Sequence, residues 1–546
     1  MHVRPRFAAA VATLVAFAAL LLPGVALAAA SPPSGSLEAA VNDAFAGLVE
    51  AMATVLFFPV ATIGDSADAV KVPAVVAWLA FGAVFFTVRL GFVNLRLFRH
   101  ALTVVSGRYD NPKDPGDVSH FQALTTALSA TVGLGNIAGV AVALMVGGAG
   151  ATFWMIAFGL FSMSTKYLEC SLGVKYRVID ADGRVQGGPM RYLREGFGRR
   201  GLPGLGKGLA VLFAVLCIGA SFGGGNMFQV GQSFTAVNAA VASLTGLTVE
   251  APTYGFVMVL LTGLVIIGGV KSIARVADKI VPLMVILYLL CVIVVVATQF
   301  GRIPEVAAAV LAGAFTPEAG FGGFVGVLIA GVKRAVFSNE AGIGSAAVAH
   351  AAARTTRPVR EGTVALLEPG VDTVLGGTLT ATAILRSGAL EAPENAAIIA
   401  GKSDGTGLTM VAFGSVVSWF PEVIAACVFL FAFSTVISWS YYGERSATYL
   451  FGVKASLPYK VVFLAFVYLG AVSNLSNVLD FSDMMILAMC VPNMIGLYVM
   501  SGEIARDTSD YVRAWKAGDF AADEAAAKAG REELAREQAA SGSSGA

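Results

Sequence analysis

The 546-residue chain is 56% hydrophobic and 13% charged, with a formal net charge of +1 and a mean hydropathy of +0.75. Soluble domains carry about 25% charged residues, so these values exclude a soluble globular protein and point to an all-α polytopic membrane protein. The near-neutral charge also removes nucleic acid from the candidate partners.

Residues 1–29 have a basic start (His2, Arg4, Arg6), an apolar centre and a small-residue exit, the pattern of a secretory signal peptide. Residues 30–72 read as an extracytoplasmic segment: a Ser/Pro/Gly linker, then a short interfacial helix over 37–60. Eleven apolar runs follow, each near the ~20 residues that a bilayer crossing needs. They cover 73–92, 120–147, 150–175, 209–240, 253–270, 277–299, 322–349, 360–385, 421–443, 460–474 and 480–501. Lys and Arg crowd alternate loops, at Arg96–Lys113, Lys175–Lys207, Lys271/Arg275, Arg354/Arg357 and Arg445/Lys454, while the other loops hold only Lys71, Arg302, Arg386 and Lys402. The basic side is therefore expected in the cytoplasm, with the mature N-terminus outside and the C-terminus inside. Residues 502–546 form a polar tail whose Ala521–Gln538 stretch reads as a solvated helix.

Two spans are interrupted. The second carries TVGLGNIAGV (131–140) and the seventh FSNEAGIGSA (337–346), each joining a polar cluster to closely spaced glycines. Glycine weakens a helix by about 1 kcal/mol relative to Ala. Inside hydrocarbon, broken backbone persists only beside protein or a polar cavity. The two breaks lie five spans apart and run in opposite directions, the mark of an inverted repeat with its site at the repeat interface. The repeats are expected over 119–300 and 301–501, with 73–118 supplying an extra leading span and a cytoplasmic loop.

The second-span segment FQALTTALSATVGLGNIAGVAVAL (121–144), with GATFWMIAFGLFSMSTKYLECSLGVKYR (150–177), GGNMFQ (224–229) and GVKRAVFSNEAGIGSAA (331–347), resembles the alanine or glycine:cation symporters. That family is built on the LeuT-type 5+5 inverted repeat. The resemblance implies uptake of small neutral amino acids (alanine, glycine, D-alanine) driven by Na+ or H+, with no resident cofactor. It implies substrate contacts from Gly133, Gly135, Asn136, Gln229, Phe337 and Trp439. It further implies a Na+ site from the carbonyls of Ser129 and Val132 and the hydroxyls of Ser434 and Thr435.

Charges within spans each need a partner or a task. Lys166 and Glu169, three apart, read as a helical pair. Glu368 and Asp372, four apart, place like charges on one helix face and suggest a gate or proton site. Lys333 and Arg334 precede the seventh-span break, as an outer gate or as residues reaching the interface. Glu340, in that break, would accept hydrogen bonds from freed backbone N–H groups or act as a protonation switch. Gln229 also reads as interhelical glue and Trp439 as an interfacial belt residue. Five cysteines, one per apolar segment, read as buried hydrophobes; the histidines His100, His120 and His350 sit near span ends, with no cluster to carry a proton.

Competing classes are weaker. GASFG (219–223) fits a nucleophile-elbow pattern but lies within a span and has no neighbouring His. A channel would want a symmetric filter rather than an internal inverted repeat. A proton-coupled transporter of another small solute, using Glu340 or Glu368/Asp372, is the nearest alternative.

Overall fold

A computed structural model describes residues 54, 56–63, 70–180, 185–298, 300–315, 320–401, 404–473 and 475–543. The signal-peptide and linker expectations for 1–53 lie outside the described residues. Each of the eleven apolar runs is helical. The first is Ala74–Arg89, the second His120–Thr131 plus Ala138–Gly147, the third Gly150–Lys175. The fourth runs from Pro203 to Thr245 through a π-helical turn at Gly223–Met227, and the fifth and sixth are Ala251–Ile266 and Val270–Thr298. The seventh joins Gly320–Asn339 to Ala346–His350. The eighth is built from Pro358–Ala365, Leu367–Pro369, a π-helix at Gly370–Gly377 and Thr378–Ser387. Phe420–Phe451, Ser456–Val472 and Leu475–Ala517 complete the set. The architecture is thus an all-α core of ten helical runs, two of them broken five runs apart, with one helix ahead of it.

Many side chains facing outward are large and apolar, such as Phe81, Leu264, Leu283 and Leu290, the surface a bilayer rather than water would cover. Inside, small residues let helices approach closely. A Cβ on Gly405 would strike the Ala138 carbonyl, and one on Gly225 would strike the Trp439 ring.

The basic loops meet on one face. Arg177 donates to the carbonyls of Pro115 (2.7 Å), Ala351 (2.7 Å), Ala353 (2.6 Å) and Thr355 (2.7 Å). Lys175 pairs with Glu503 at 2.8 Å, tying the third span to the eleventh. The opposite face carries helices that the hydropathy pattern did not foretell, Ile303–Phe315 and Gly405–Gly414. It also carries a hairpin of Pro59–Ile63 with Val70–Pro73. That hairpin corrects the expected interfacial helix at its C-terminal end: β-branched residues bounded by prolines favour extended backbone there.

The tail is docked rather than merely solvated. Helix Phe520–Ser543 buries Phe520 and Ala527. Arg108 pairs with Glu524 at 2.8 Å and Lys113 with Glu533 at 2.6 Å. Arg531 donates to the carbonyls of Gly107 (2.7 Å) and Asp110 (3.0 Å). Asp523 accepts from Arg357 at 2.8 Å and from the buried Arg360. Burial opposes ionisation of Asp523, but the hydrogen bonds from Arg357 and Arg360 prevail and hold its carboxyl below the ordinary range. A depressed carboxyl stabilises docking fully above its unfolded pKa of about 4, and that contribution fades as pH falls through the folded value. Limited proteolysis of the tail helix should therefore accelerate on acidification, and Asp523→Asn should accelerate it roughly tenfold at neutral pH, as loss of about 1.4 kcal/mol of charged hydrogen bonding implies.

Candidate functional site

The second span starts with a capping box. Ser119 Oγ accepts from Gln122 N at 3.2 Å while Gln122 Oε1 accepts from Ser119 N at 3.2 Å. The helix stops at Thr131, and the chain turns by 54° before resuming. Val132 leaves helical geometry (φ −75°, ψ 70°), and Leu134–Asn136 form a single 3-10 turn.

The break is held from two sides. Toward the fourth and ninth spans, a Cβ on Gly133 would lie 2.5 Å from Thr435 Oγ1 and 3.4 Å from Gln229 Oε1. Gln229 donates to the Gly224 carbonyl at 2.9 Å, within the π-turn segment, while its buried Oε1 has no hydrogen-bond partner among the described residues. Just before the break, Thr435 Oγ1 donates to the Ser129 carbonyl at 3.0 Å and Ser434 Oγ lies 3.4 Å from it. Ser129 Oγ in turn donates to the Ser434 carbonyl at 2.7 Å and lies 2.9 Å from Ser438 Oγ. Ser129, Ser434 and Thr435 therefore converge, with Val132 adjoining through the chain. This oxygen-rich donor set suits a hard cation.

Toward the seventh and eighth spans, Asn136 Nδ2 donates to Asp372 Oδ1 at 2.5 Å. Ser338 Oγ donates to Asp372 Oδ2 at 2.7 Å and lies 3.1 Å from Asn136 Oδ1, and Thr373 Oγ1 adds a bond to Asp372 Oδ2 at 2.8 Å. Asp372 is completely buried, and no basic side chain pairs with it among the described residues. Phe337 lies beside Ser338 with its ring edge-on to Phe228, centroids 5.4 Å apart.

The seventh-span break is similarly over-determined. Glu340 adopts φ 54°, with Gly342 at 89° and Gly344 at 93°, positions where a side chain costs strain. Asn339 Oδ1 accepts from Ala341 N at 3.0 Å, and Asn493 donates to the Gly342 carbonyl at 2.9 Å. Glu340 accepts from Trp439 Nε1 at 3.0 Å and from the Ser345 hydroxyl. Its partners are side chains, where freed backbone N–H groups were expected. Trp439, 1% exposed, is a strut between the ninth span and this break and not an interfacial belt residue.

The expected charge pairings are rearranged. Lys166 meets Glu368 at 3.1 Å rather than Glu169, which accepts from Asn493 at 2.6 Å. Glu368 and Asp372 do not form a like-charge face, because the π-helix starting at Gly370 gives them separate partners. Lys333 (2.8 Å) and Arg334 both pair with Asp483 of the eleventh span, the carboxylate that an outer-gate reading required. The histidines do cluster: His120 and His350 share the two oxygens of Glu361. No local spacing reveals that trio, since Glu361 lies 241 residues from His120. Ser338 was legible only as part of a polar run, and Asp483 as one of two carboxylates, with Asp480, at the start of an apolar span.

The sequence model of the sodium:alanine symporter family matches residues 58–525. The sodium/alanine symporter AgcS of Methanococcus maripaludis is 40% identical over 80% of this chain and 94% of its own length. A probable sodium/glutamine symporter GlnT of Bacillus subtilis is 34% identical over 81% of this chain and 88% of its own. Among solved structures, MhsT in complex with L-phenylalanine matches 71% of this chain and 99% of its own, at a TM-score of 0.38 and 15% identity.

The close meeting of the two breaks yields a stability prediction. A Cβ on Gly135 would stand 2.9 Å from Ser338 Cα, which belongs to backbone and cannot swing aside, whereas one on Gly139 would meet nothing nearer than 4.0 Å. Gly135→Ala should destabilise the detergent-solubilised protein by about 1–3 kcal/mol; Gly139→Ala should leave its melting temperature unchanged or slightly raised.

Proposed function

The chain belongs to the sodium:alanine symporter family, and on that premise we propose that it takes up alanine, glycine and D-alanine with Na+ as the coupling ion. Coarsely stated, it is a multi-pass membrane protein performing cation-coupled amino-acid symport, and not an enzyme. Relatives named for alanine and for glutamine both match it, so the choice of substrate has to be argued from the site.

One observation carries the reading. Asp372 lies fully buried between both breaks, taking three neutral hydrogen bonds and no basic partner among the described residues. A buried carboxylate without a counter-charge is costly, and the ammonium of an amino acid supplies that charge. Asn136 and Ser338 then position the carboxylate that receives it, while the unpartnered Gln229 Oε1 offers a second acceptor across Gly133. The backbone N–H groups freed at Gly133–Gly135 suit the substrate carboxylate. A pocket walled by Phe337 would exclude large side chains by steric clash. Na+ would sit among the oxygens of Ser129, Val132, Ser434 and Thr435, and each ligand would bind better with the other present. The basic face is taken as cytoplasmic, in an inner membrane, and the spans bearing the breaks rock against the rest.

In proteoliposomes, an imposed Na+ gradient should drive accumulation of labelled alanine, unlabelled glycine and D-alanine should compete, and glutamine should not. Accumulation driven only by a pH gradient would replace Na+ with H+ as the coupling ion. Asp372→Asn keeps the hydrogen-bonding shape but removes the counter-charge; uptake should fall about 100-fold or more with insertion unchanged. Thr435→Ala should raise the Na+ concentration for half-maximal uptake roughly tenfold, as loss of about 1.4 kcal/mol in one ligand group implies.

A further inference from the structure

Below the break, toward the basic face, ionisable side chains form one continuous buried line. Asp110 Oδ1 lies 3.8 Å from His120 Nε2. His120 Nδ1 meets Glu361 Oε2, Glu361 Oε1 meets His350 Nδ1 at 2.5 Å, and His350 Nε2 meets Glu368 Oε1 at 2.6 Å. Lys166 Nζ closes the line on Glu368 Oε2 at 3.1 Å. Apart from Asp110, every member is buried.

Proton counting gives this line its meaning. The three contacts between His120, Glu361, His350 and Glu368 each need one proton between their heavy atoms. Two neutral imidazoles supply at most two: His350 gives one in either tautomer, and His120 gives one only when its proton is on Nδ1. A third proton must therefore reside in the cluster. With it, the two carboxylates balance the Lys166 ammonium and one added positive charge. Without it, a nitrogen lone pair faces a carboxylate inside a dry core, which is strongly unfavourable.

The cluster is wired to both breaks. His120 opens the second span, and His350 ends the short helix after the seventh-span break. Glu361 and Glu368 lie in the eighth span, the latter one turn ahead of Asp372. We propose that this cluster is a proton-binding site open to the basic face, whose third proton clamps the inner ends of both broken spans onto the eighth, and whose release to that compartment lets them part. The proposal rests on the symport reading above and adds a proton-controlled inner gate to it.

The surroundings fit a proton better than a metal. Cys170, His350 and Glu368 do bring three ligand atoms within 4.8 Å. However, Lys166 occupies the same carboxylate, and both nitrogens of His350 are already engaged. Other charged or titratable groups facing the line are Glu169 and Glu340 across Lys166, Tyr442 from the ninth span, and Arg177 beside Glu361. Access is provided by Asp110, which lines a solvent-open cavity of about 500 Å³ with Ser106, Gly107, Arg108 and Arg531. Burial raises the Asp110 carboxyl above its ordinary range, which favours its proton-carrying form at the mouth of the line. His120 Nε2, buried and without a hydrogen-bond partner among the described residues, points to it.

The test uses proteoliposomes sorted for insertion with the basic face inward, with Na+-driven alanine uptake followed as lumen pH is varied at fixed external pH. Wild type should show a one-proton titration, uptake rising with lumen pH by up to tenfold per unit at its steepest, and no such response to external pH. His350→Gln keeps a donor to Glu368 whose proton cannot leave, so its uptake should be independent of lumen pH. A flat wild-type profile, or an unchanged profile in His350→Gln, overturns the proposal. Should His350→Gln fail to insert, Glu361→Gln removes one buried negative charge and should move the midpoint about one unit or more toward acid; an unmoved midpoint overturns the proposal equally. Absence of Na+-driven uptake at every lumen pH would sink the symport reading instead. The proton site would then still be read in detergent, as wild-type thermal stability lost above a midpoint that His350→Gln lacks, and its absence there would overturn it.

Discussion

A backbone that abandons helical geometry inside hydrocarbon must find new partners for the groups it frees, and this requirement shapes the whole core. At the second-span break the partners come from the seventh, eighth and ninth spans, through Ser338 and Asp372 on the Asn136 side chain and Thr435 on the Ser129 carbonyl. At the seventh-span break they come from the ninth and eleventh, through Trp439 and Asn493. The breaks are therefore not weak points in two helices. They are the junctions to which the other spans are fastened, and each could exist only with those spans in place.

Charge follows the same logic. Some ionisable groups inside the core are paired: Lys166 with Glu368, and Arg334 and Lys333 with Asp483. Such pairs cost desolvation and return specificity only when their geometry is complete. Glu169, Glu340 and Asp372 have no ion-pair partner among the described residues, and of these Asp372 is the one that bonds both breaks, through Asn136 and Ser338. The missing charge is what a transported ammonium would bring. In the proposed reading, coupling between substrate and ion would need no separate device, since both would be anchored to the same few residues around Gly133.

The glycines of the core serve close approach more than flexibility. Gly225 admits the Trp439 ring, Gly405 lets a helix of the outer face lie on the Ala138 backbone, and Gly135 seats one break against the other. Gly342 and Gly344 at the seventh break combine contact with positive φ, as do Gly116 and Gly188. A core held by such contacts has discrete rather than graded alternatives, which suits a carrier that must close one side before opening the other.

Composition, span lengths and the mirrored glycine-polar interruptions were enough to establish a helical membrane protein, helices at its eleven apolar runs, both breaks and the clustering of its basic loops, because each of these follows from local hydrophobicity and local backbone freedom. Long-range pairing was not legible. Lys166 was three residues from one carboxylate and chose another, and His120 and His350, which looked isolated, share a glutamate far from the first of them. The physical reason is that a buried charge or polar atom selects its partner by three-dimensional distance and desolvation, and sequence spacing informs that choice only within a turn or two of one helix. Local spacing misled even within one helix at Lys166 and Glu169, and again at Glu368 and Asp372, where a π-helix changes the periodicity that a one-face argument assumes.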